Sequence, residues 1–144
     1  MILISACLVG INSMYNGASD ARQRFIEQMA QGELLPVCPE QLGGLPTPRP
    51  PSEIVGGTGE DVLDDNARIY TRDGDDVTQD FLRGADETLN LARLVKADLI
   101  ILRQNSPACG CGCIYDGTFT GTIRQGNGVT AALLLREKFR VLSA

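Results

Sequence analysis

Five cysteines in a chain of 144 residues are the side chains whose chemistry most constrains the function of this protein. Cys7 and Cys38 stand alone, whereas Cys109, Cys111 and Cys113 alternate with glycine. An odd number of cysteines in a short chain that we expect to be cytoplasmic does not favour a disulfide framework. We therefore expect metal binding or thiol chemistry.

The composition narrows the choice of acid–base groups, because the sequence contains no histidine and no tryptophan. A Ser-His-Asp triad, an HExxH zinc site and a Cys–His nucleophile pair all require histidine and are excluded. Any proton transfer must use carboxylates, cysteine, tyrosine, lysine or a metal-bound water.

Three of the cysteines follow short apolar segments that are typical of buried strands: ILISA before Cys7, LLPV before Cys38, and LIIL with RQNSPA before Cys109. Ligands of an open parallel sheet bind beyond the carboxyl ends of its strands. If these strands are parallel neighbours, the three sulfurs share one edge of the sheet. Three lone cysteines leave one position open, as a catalytic metal or cluster requires. Thiolate ligands favour an iron–sulfur cluster first and zinc second.

Other interpretations of the cysteines remain open from spacing alone. Cys7 and Cys38 could be small buried hydrophobic residues. Within the Gly-alternating segment, Cys109 could be the ligand while Cys111 and Cys113 are spare. These two could also supply a ligand or form a separate reactive pair of thiols.

Polar residues accompany two of the candidate ligands. Glu40 lies two residues after Cys38, where a carboxylate could act as general acid or base. It could equally be a surface group or a hydrogen-bonded member of the loop. Ser106 lies three residues before Cys109, where it could hold a substrate or satisfy the turn before Pro107.

A third group of polar residues follows Cys7. Asn12, Tyr15 and Asn16 lie five to nine residues beyond it. Because the loop that carries them begins at the same strand end, we expect them to line the same pocket.

The elements that position these residues alternate between short apolar strands and amphipathic helices. Strands are predicted at 2–6, 34–37, 98–102 and 139–143, and helices at about 21–30, 79–97 and 129–138. Ser19 or Asp20 is the predicted cap of the first helix, and Thr78 that of the second. We predict a single α/β domain over 1–144, a three-layer sandwich with a short, mostly parallel, Rossmann-like sheet.

Three segments between these elements also carry predictions. Residues 53–77 contain turn signals and predict a small, acidic hairpin or flap. The segment PEQLGGLPTPRPP predicts a stiff loop that is neither helix nor interior strand. The Gly- and Cys-rich segment RQNSPACGCGCIYDGTFTG predicts a loop.

The net charge of −5 lies in one segment. Residues 60–76 hold seven acidic and two basic residues, so the rest of the chain is balanced at eleven against eleven. Eleven of the thirteen basic residues are arginine, whose guanidinium group binds phosphate through two parallel hydrogen bonds. A polyanionic partner is therefore allowed, although solvated surface charge is the more common explanation of such a pattern.

Nothing in the sequence indicates a membrane partner. No apolar run approaches about 18 residues, the length that suggests a membrane span. The opening segment MILISACLVG lacks the basic start of a signal peptide, so we interpret it as a buried strand and expect a cytoplasmic protein.

Several motifs occur in a characteristic order along the chain: ISACLVG, LLPVCPEQLGGLPTPRPPSEI, Asp76-Val77-Thr78 with FLRGA, SPACG, IYDGTFTG and GNGVTAALL. In this order they resemble one bacterial family, the thiouracil desulfidases, long a domain of unknown function. The resemblance runs from residue 1 to about 142, and LPVCPE-x-LGGLPTPR is its most specific part.

This resemblance implies a [4Fe–4S] cluster held by Cys7, Cys38 and Cys109, with one iron open to the thiocarbonyl sulfur of a thiouracil ring. It implies that Glu40 acts as acid and base, that Ser106 assists, and that water replaces sulfur without net redox change. The short form of the chain resembles members that act on thiouridine in tRNA, so tRNA is a possible partner. The substrate could carry sulfur at C2 or C4, as a free base, as a nucleoside or in tRNA.

Two other functions are compatible with the same cysteines. A non-catalytic iron–sulfur or metal carrier needs neither Glu40 nor an open iron. A nucleic-acid-binding module with a structural metal is disfavoured by only seven aromatic residues and no continuous basic tract.

Overall fold

A computed structural model describes residues 1–144, and it contains eight short strands and five helices. The strands are β1 Ile2–Ser5, β2 Leu34–Val37, β3 Ser52–Val55, β4 Arg68–Thr71, β5 Leu99–Leu102, β6 Cys113–Tyr115, β7 Ile123–Gln125 and β8 Val141–Ser143. The helices are α1 Gln23–Ala30, α2 Pro39–Leu42, α3 Gly59–Leu63, α4 Thr78–Leu94 and α5 Val129–Arg136, and Ala6–Val9 form a 3₁₀ turn. None of the helices is long and apolar enough to cross a membrane.

The central sheet has four parallel strands in the order β2-β1-β5-β8. Successive side chains of a strand point to opposite faces, so Leu3 and Ile4 of β1 enter different cores. Leu3 packs in the larger core with residues of α4 and α5, whereas Ile4 packs with Phe25 of α1. Helices on both faces of a parallel sheet confirm the predicted three-layer α/β architecture.

The predicted hairpin over 53–77 is confirmed, because β3 and β4 pair antiparallel. The one-turn helix α3 lies within the connection between them and was not predicted. A second hairpin, β6 with β7, lies where the sequence predicted only a loop. Its strands have three residues each and β7 is exposed throughout, so backbone pairing forms it without an apolar pattern in the sequence.

The prediction that the Pro-rich segment contains no helix was wrong at its start. Pro39 opens the single turn of α2, at the position where its missing N–H is tolerated. This turn lies directly on α4, because Gly43 and Gly84 leave no side chain between the two helices. A Cβ atom at Gly84 would overlap the carbonyl oxygen of Pro39.

The predicted cap of each of the helices α1 and α4 was wrong, and the side chains of Asp20 and Thr78 have other partners. Helix α1 begins at Gln23 without a side-chain cap, and the Asp20 carboxylate is bound instead by Arg22 and Arg103. Helix α4 begins at Thr78 itself. The Thr78 hydroxyl accepts a hydrogen bond from the backbone N–H of Ile69 at 2.9 Å, which fixes the helix start to β4.

Candidate active site

A cavity of about 400 Å³ lies beyond the carboxyl ends of the sheet strands, and three cysteines line it. Cys7 follows β1, Cys38 follows β2 directly, and Cys109 lies on the segment after β5. Because β1 lies between β2 and β5 and all three are parallel, their ends deliver these residues to one edge. The structure thus brings together the three cysteines that the strand pattern singled out.

Burial dominates the electrostatics of these thiols. Cys7 and Cys109 are buried and Cys38 is half-buried. Burial raises the pKa of Cys7 to about 11, although the nearby Arg103 acts in the opposite direction. Burial also raises the pKa of Cys38, and burial together with the neighbouring Cys38 raises the pKa of Cys109. Without a metal the thiols therefore keep their protons at neutral pH, and a metal or cluster that binds them must displace those protons.

The two remaining cysteines lie outside this cavity. Cys111 is half-buried against the larger core, and burial and then Glu60 raise the pKa of its thiol. Cys113 is exposed at the start of β6. The alternating Cys-Gly segment thus sends only Cys109 into the cavity.

Glu40 lines the cavity and forms an ion pair with Arg49. The Nε atom of Arg49 donates to Oε2 of Glu40 at 2.6 Å. The same guanidinium donates to the carbonyl oxygen of Ser13 at 2.9 Å and to Thr47 Oγ1 at 3.0 Å. Sequence reasoning missed Arg49, because its bond to Ser13 joins two loops that are 36 residues apart in sequence.

Ser106 also lines the cavity, and its hydroxyl oxygen accepts a hydrogen bond from the backbone N–H of Cys109 at 2.7 Å. The turn that carries Cys109 is therefore held by Ser106. Tyr15 and Asn16, which follow Cys7 in sequence, line the cavity. Asn12 is exposed and lies outside the cavity.

Aromatic and charged residues of the two hairpin regions complete the wall and were not predicted. Tyr115 and Phe119 line the cavity from the segment that includes β6, and Arg72 lines it from the end of β4. Arg72 forms no ion pair within the structure, whereas Arg103 is paired with Asp20. The motif IYDGTF contains both aromatic residues, but it lies far in sequence from Cys7 and Cys38, so the sequence did not show that all four line one cavity.

Comparison with known protein families gives one match: residues 2–144 match the family described as 2-thiouracil desulfurase. The chain belongs to the 2-thiouracil desulfurase family. It is 49% identical to the uncharacterized protein YbbK of Bacillus subtilis (strain 168) over 143 residues, which cover 99% of this chain and 95% of that protein.

The fold of this chain also matches that of a protein whose structure has been solved. The chain superposes on the [4Fe-4S]-dependent thiouracil desulfidase TudS with a TM-score of 0.86 and 40% sequence identity. The match covers 99% of this chain and 89% of TudS. The resemblance noted from the sequence motifs is thereby confirmed.

The donor set of this 2-thiouracil desulfurase family member fits an iron–sulfur cluster. No three Cys, Asp or Glu side chains are grouped closely enough to hold one metal ion, although Cys7, Cys38 and Cys109 share a wall. Ligands of a cluster bind different iron atoms and are therefore spread more widely than the ligands of a single ion. Thiolates are also the ligands that iron–sulfur clusters use most.

Proposed function

We propose that this protein replaces the sulfur of a thiolated uracil by oxygen, with a [4Fe–4S] cluster held by Cys7, Cys38 and Cys109. The observation that carries the proposal is the shared cavity of three thiols and a largely buried carboxylate, Glu40. It occurs in a chain that is 40% identical to a [4Fe-4S]-dependent thiouracil desulfidase.

The reaction balances without an oxidant or reductant. One water enters, a C=S bond is replaced by a C=O bond, and hydrogen sulfide leaves. A cluster with three protein ligands supplies an open iron, a soft Lewis acid that binds sulfur in preference to oxygen. The protein must supply the base, the binding site for the ring and a donor for the leaving sulfur.

Glu40 is the base that the cavity offers. Its Oε2 is occupied by Arg49, whereas no hydrogen bond of the structure reaches Oε1. Oε1 is therefore the atom that accepts a proton from the attacking water and returns it to the ring or to the sulfide. Arg49 fixes the direction of the carboxylate, so no ordering is required when substrate binds.

Ser106 and the aromatic side chains bind the substrate. The Ser106 oxygen already accepts a hydrogen bond from Cys109, so its hydroxyl proton is left to donate to the ring or the leaving sulfur. Tyr15, Tyr115 and Phe119 offer ring faces at the cavity wall, on which a pyrimidine can stack.

The size and charge of the cavity bear on the form of the substrate. A volume of about 400 Å³ accommodates one base or nucleoside. A nucleotide of tRNA must leave its stack to enter such a cavity. Arg72, a cation without an ion pair at the wall, favours a substrate with a phosphate. We propose thiouridine in tRNA as one substrate, with the free base and nucleoside as the other forms to be assayed.

The decisive experiment is anaerobic reconstitution with iron and sulfide, followed by assay of sulfide release. The substrates are 4-thiouridine, 2-thiouracil and thiolated tRNA, and Cys7→Ser is the control. We expect release that requires both the cluster and Cys7. A stable cluster without sulfide release from any substrate would favour a non-catalytic carrier. Failure to assemble a cluster would indicate that the three cysteines bind zinc or act only as buried hydrophobic residues.

A further inference from the structure

We infer that Glu53 recognises the N3–H group of the uracil ring and so selects thiouracil over thiocytosine. The inference rests on the proposed function, because it assumes a pyrimidine in the cavity. Glu53 lies on β3, is 7% exposed and lines the same cavity as Glu40 and the three cysteines. Burial of a carboxylate is costly unless hydrogen-bond donors compensate it.

The two oxygens of Glu53 differ in their partners. Oε1 accepts hydrogen bonds from the backbone N–H groups of Gly117 at 2.9 Å and Phe119 at 3.2 Å. No hydrogen bond and no ion pair of the structure reaches Oε2. Among the side-chain oxygen and nitrogen atoms that are fully enclosed by protein, only Thr130 Oγ1 lacks a hydrogen-bond partner. Because Oε2 of Glu53 also lacks a partner, it is not fully enclosed. Because Glu53 lines the cavity and Oε2 is not enclosed, we infer that Oε2 faces the cavity.

Cations at the wall do not satisfy this oxygen. Arg49 is committed to Glu40, Arg103 is committed to Asp20, and Arg72 is exposed. The cavity therefore presents a fixed, charged acceptor whose position is set by two backbone donors. A ligand that enters must bring an N–H or O–H group to this point or leave the acceptor unpaired.

The N3–H group is the donor that every proposed substrate shares. It lies between C2 and C4, so it is present whether the sulfur is at C2 or at C4. It is also present in the nucleoside and in tRNA, where N1 carries the ribose. In a thiocytosine ring N3 is unprotonated and accepts hydrogen bonds, so a carboxylate at this point repels it. Glu53 thus discriminates by hydrogen-bond polarity in rings of nearly equal shape.

The variant Glu53→Gln distinguishes recognition of the ring from a purely structural role of Glu53. The side-chain oxygen of glutamine can still accept from Gly117 and Phe119, whereas its amide nitrogen replaces Oε2 by a donor. The segment 117–119 keeps its anchor while the polarity at the cavity is reversed. Glu87→Gln, at an exposed position of α4 outside the cavity, is the matched control.

The test measures dissociation constants of uridine and cytidine for the reconstituted holoenzyme by calorimetry, beside kcat/KM for 4-thiouridine and 2-thiocytidine. We expect the wild type and Glu87→Gln to prefer uridine by about tenfold or more, as a charge-assisted hydrogen bond predicts. In Glu53→Gln the ratio of the dissociation constant of cytidine to that of uridine should fall to near unity or reverse. The ratio of kcat/KM for 4-thiouridine to kcat/KM for 2-thiocytidine should change in the same direction.

Equal weakening of both nucleosides in Glu53→Gln would show that Glu53 acts only through the 117–119 segment, and would overturn the inference. A wild type that does not bind uridine, or does not prefer it to cytidine, would also overturn it. If the ratio changes as expected but no thiolated uracil releases sulfide, recognition by Glu53 stands and the proposed desulfidation fails.

Discussion

Glu40 and Arg49 form an ion pair that is almost withdrawn from solvent, with 13% and 5% of their side chains exposed. Arg49 also binds the carbonyl oxygen of Ser13, on the loop that follows Cys7. One guanidinium therefore joins the Pro-rich segment, the loop after β1 and the carboxylate of the cavity. The orientation of Glu40 depends on a residue that lies nine positions away in the chain.

Replacement of Arg49 should destabilise the protein strongly, because Glu40 then remains as an uncompensated charge. For Arg49→Gln we expect a decrease in the free energy of unfolding of about 3–5 kcal/mol, which is typical when one partner of a buried pair is removed. The double variant Glu40→Gln/Arg49→Gln should recover part of that loss. Urea denaturation of all four proteins of this cycle, under anaerobic conditions, measures the coupling. Additive effects of the two substitutions would show that the pair contributes nothing to stability.

Removal of the Glu40 carboxylate should separate catalysis from cluster binding. We expect Glu40→Gln to retain the iron and sulfide content of the wild type, because Glu40 is not among the proposed ligands. The rate of sulfide release should fall about 10²- to 10⁴-fold, the usual contribution of a general base. Single-turnover assays beside iron analysis measure both quantities. Full activity of this variant would remove Glu40 from the mechanism.

The cysteines should divide into two sets. Cys7→Ser, Cys38→Ser and Cys109→Ser should each lose the cluster and the activity together, because each thiol lines the cavity. Cys111→Ser and Cys113→Ser are the matched controls, since both thiols lie outside it, and they should retain both properties. Iron and sulfide content with visible absorption measure the cluster. Loss of the cluster in Cys111→Ser alone would reassign the third ligand.

The sequence predicted those residues of the site that lie next to a strand end or a cysteine, and it missed those whose partners are distant in sequence. Cys7, Cys38 and Cys109 each follow an apolar strand, and parallel strand ends meet at one edge, so their convergence follows from pattern alone. Glu40 and Ser106 were found because each lies close to a cysteine in sequence. Arg49 and Glu53 were missed, because their partners come from loops whose relative positions no periodicity encodes.

The same reason explains the errors in the fold. Three of the four parallel strands (β1, β2 and β5) and the three longer helices have buried residues, and the sequence patterns show them. The hairpin of β6 and β7 buries only Ile114 and is formed by backbone hydrogen bonds, so no pattern marks it.

Arg72 should distinguish substrates with phosphate from free bases. We expect Arg72→Gln to lower kcat/KM for thiolated tRNA several-fold at low salt relative to kcat/KM for 2-thiouracil, because a phosphate contact is lost. The salt dependence for tRNA should also become shallower. Arg140→Gln, at the amino end of β8 and thus at the opposite edge of the sheet, is the control and should leave the ratio unchanged. An unchanged ratio and salt dependence in Arg72→Gln would argue against a phosphate at this wall.

Gly84 should be essential to the site although it touches no substrate. Intrinsic helix propensity favours alanine over glycine by about 1 kcal/mol, so propensity alone predicts that Gly84→Ala stabilises α4. A Cβ atom at this position overlaps the Pro39 carbonyl oxygen, however, and the turn that carries Glu40 must move. We therefore expect Gly84→Ala to lower both thermal stability and cluster content. Asn90→Ala, at an exposed position of the same helix, gains propensity without a clash and should retain both. A Gly84→Ala protein with unchanged iron content and higher stability would show that the contact between α2 and α4 does not position Cys38.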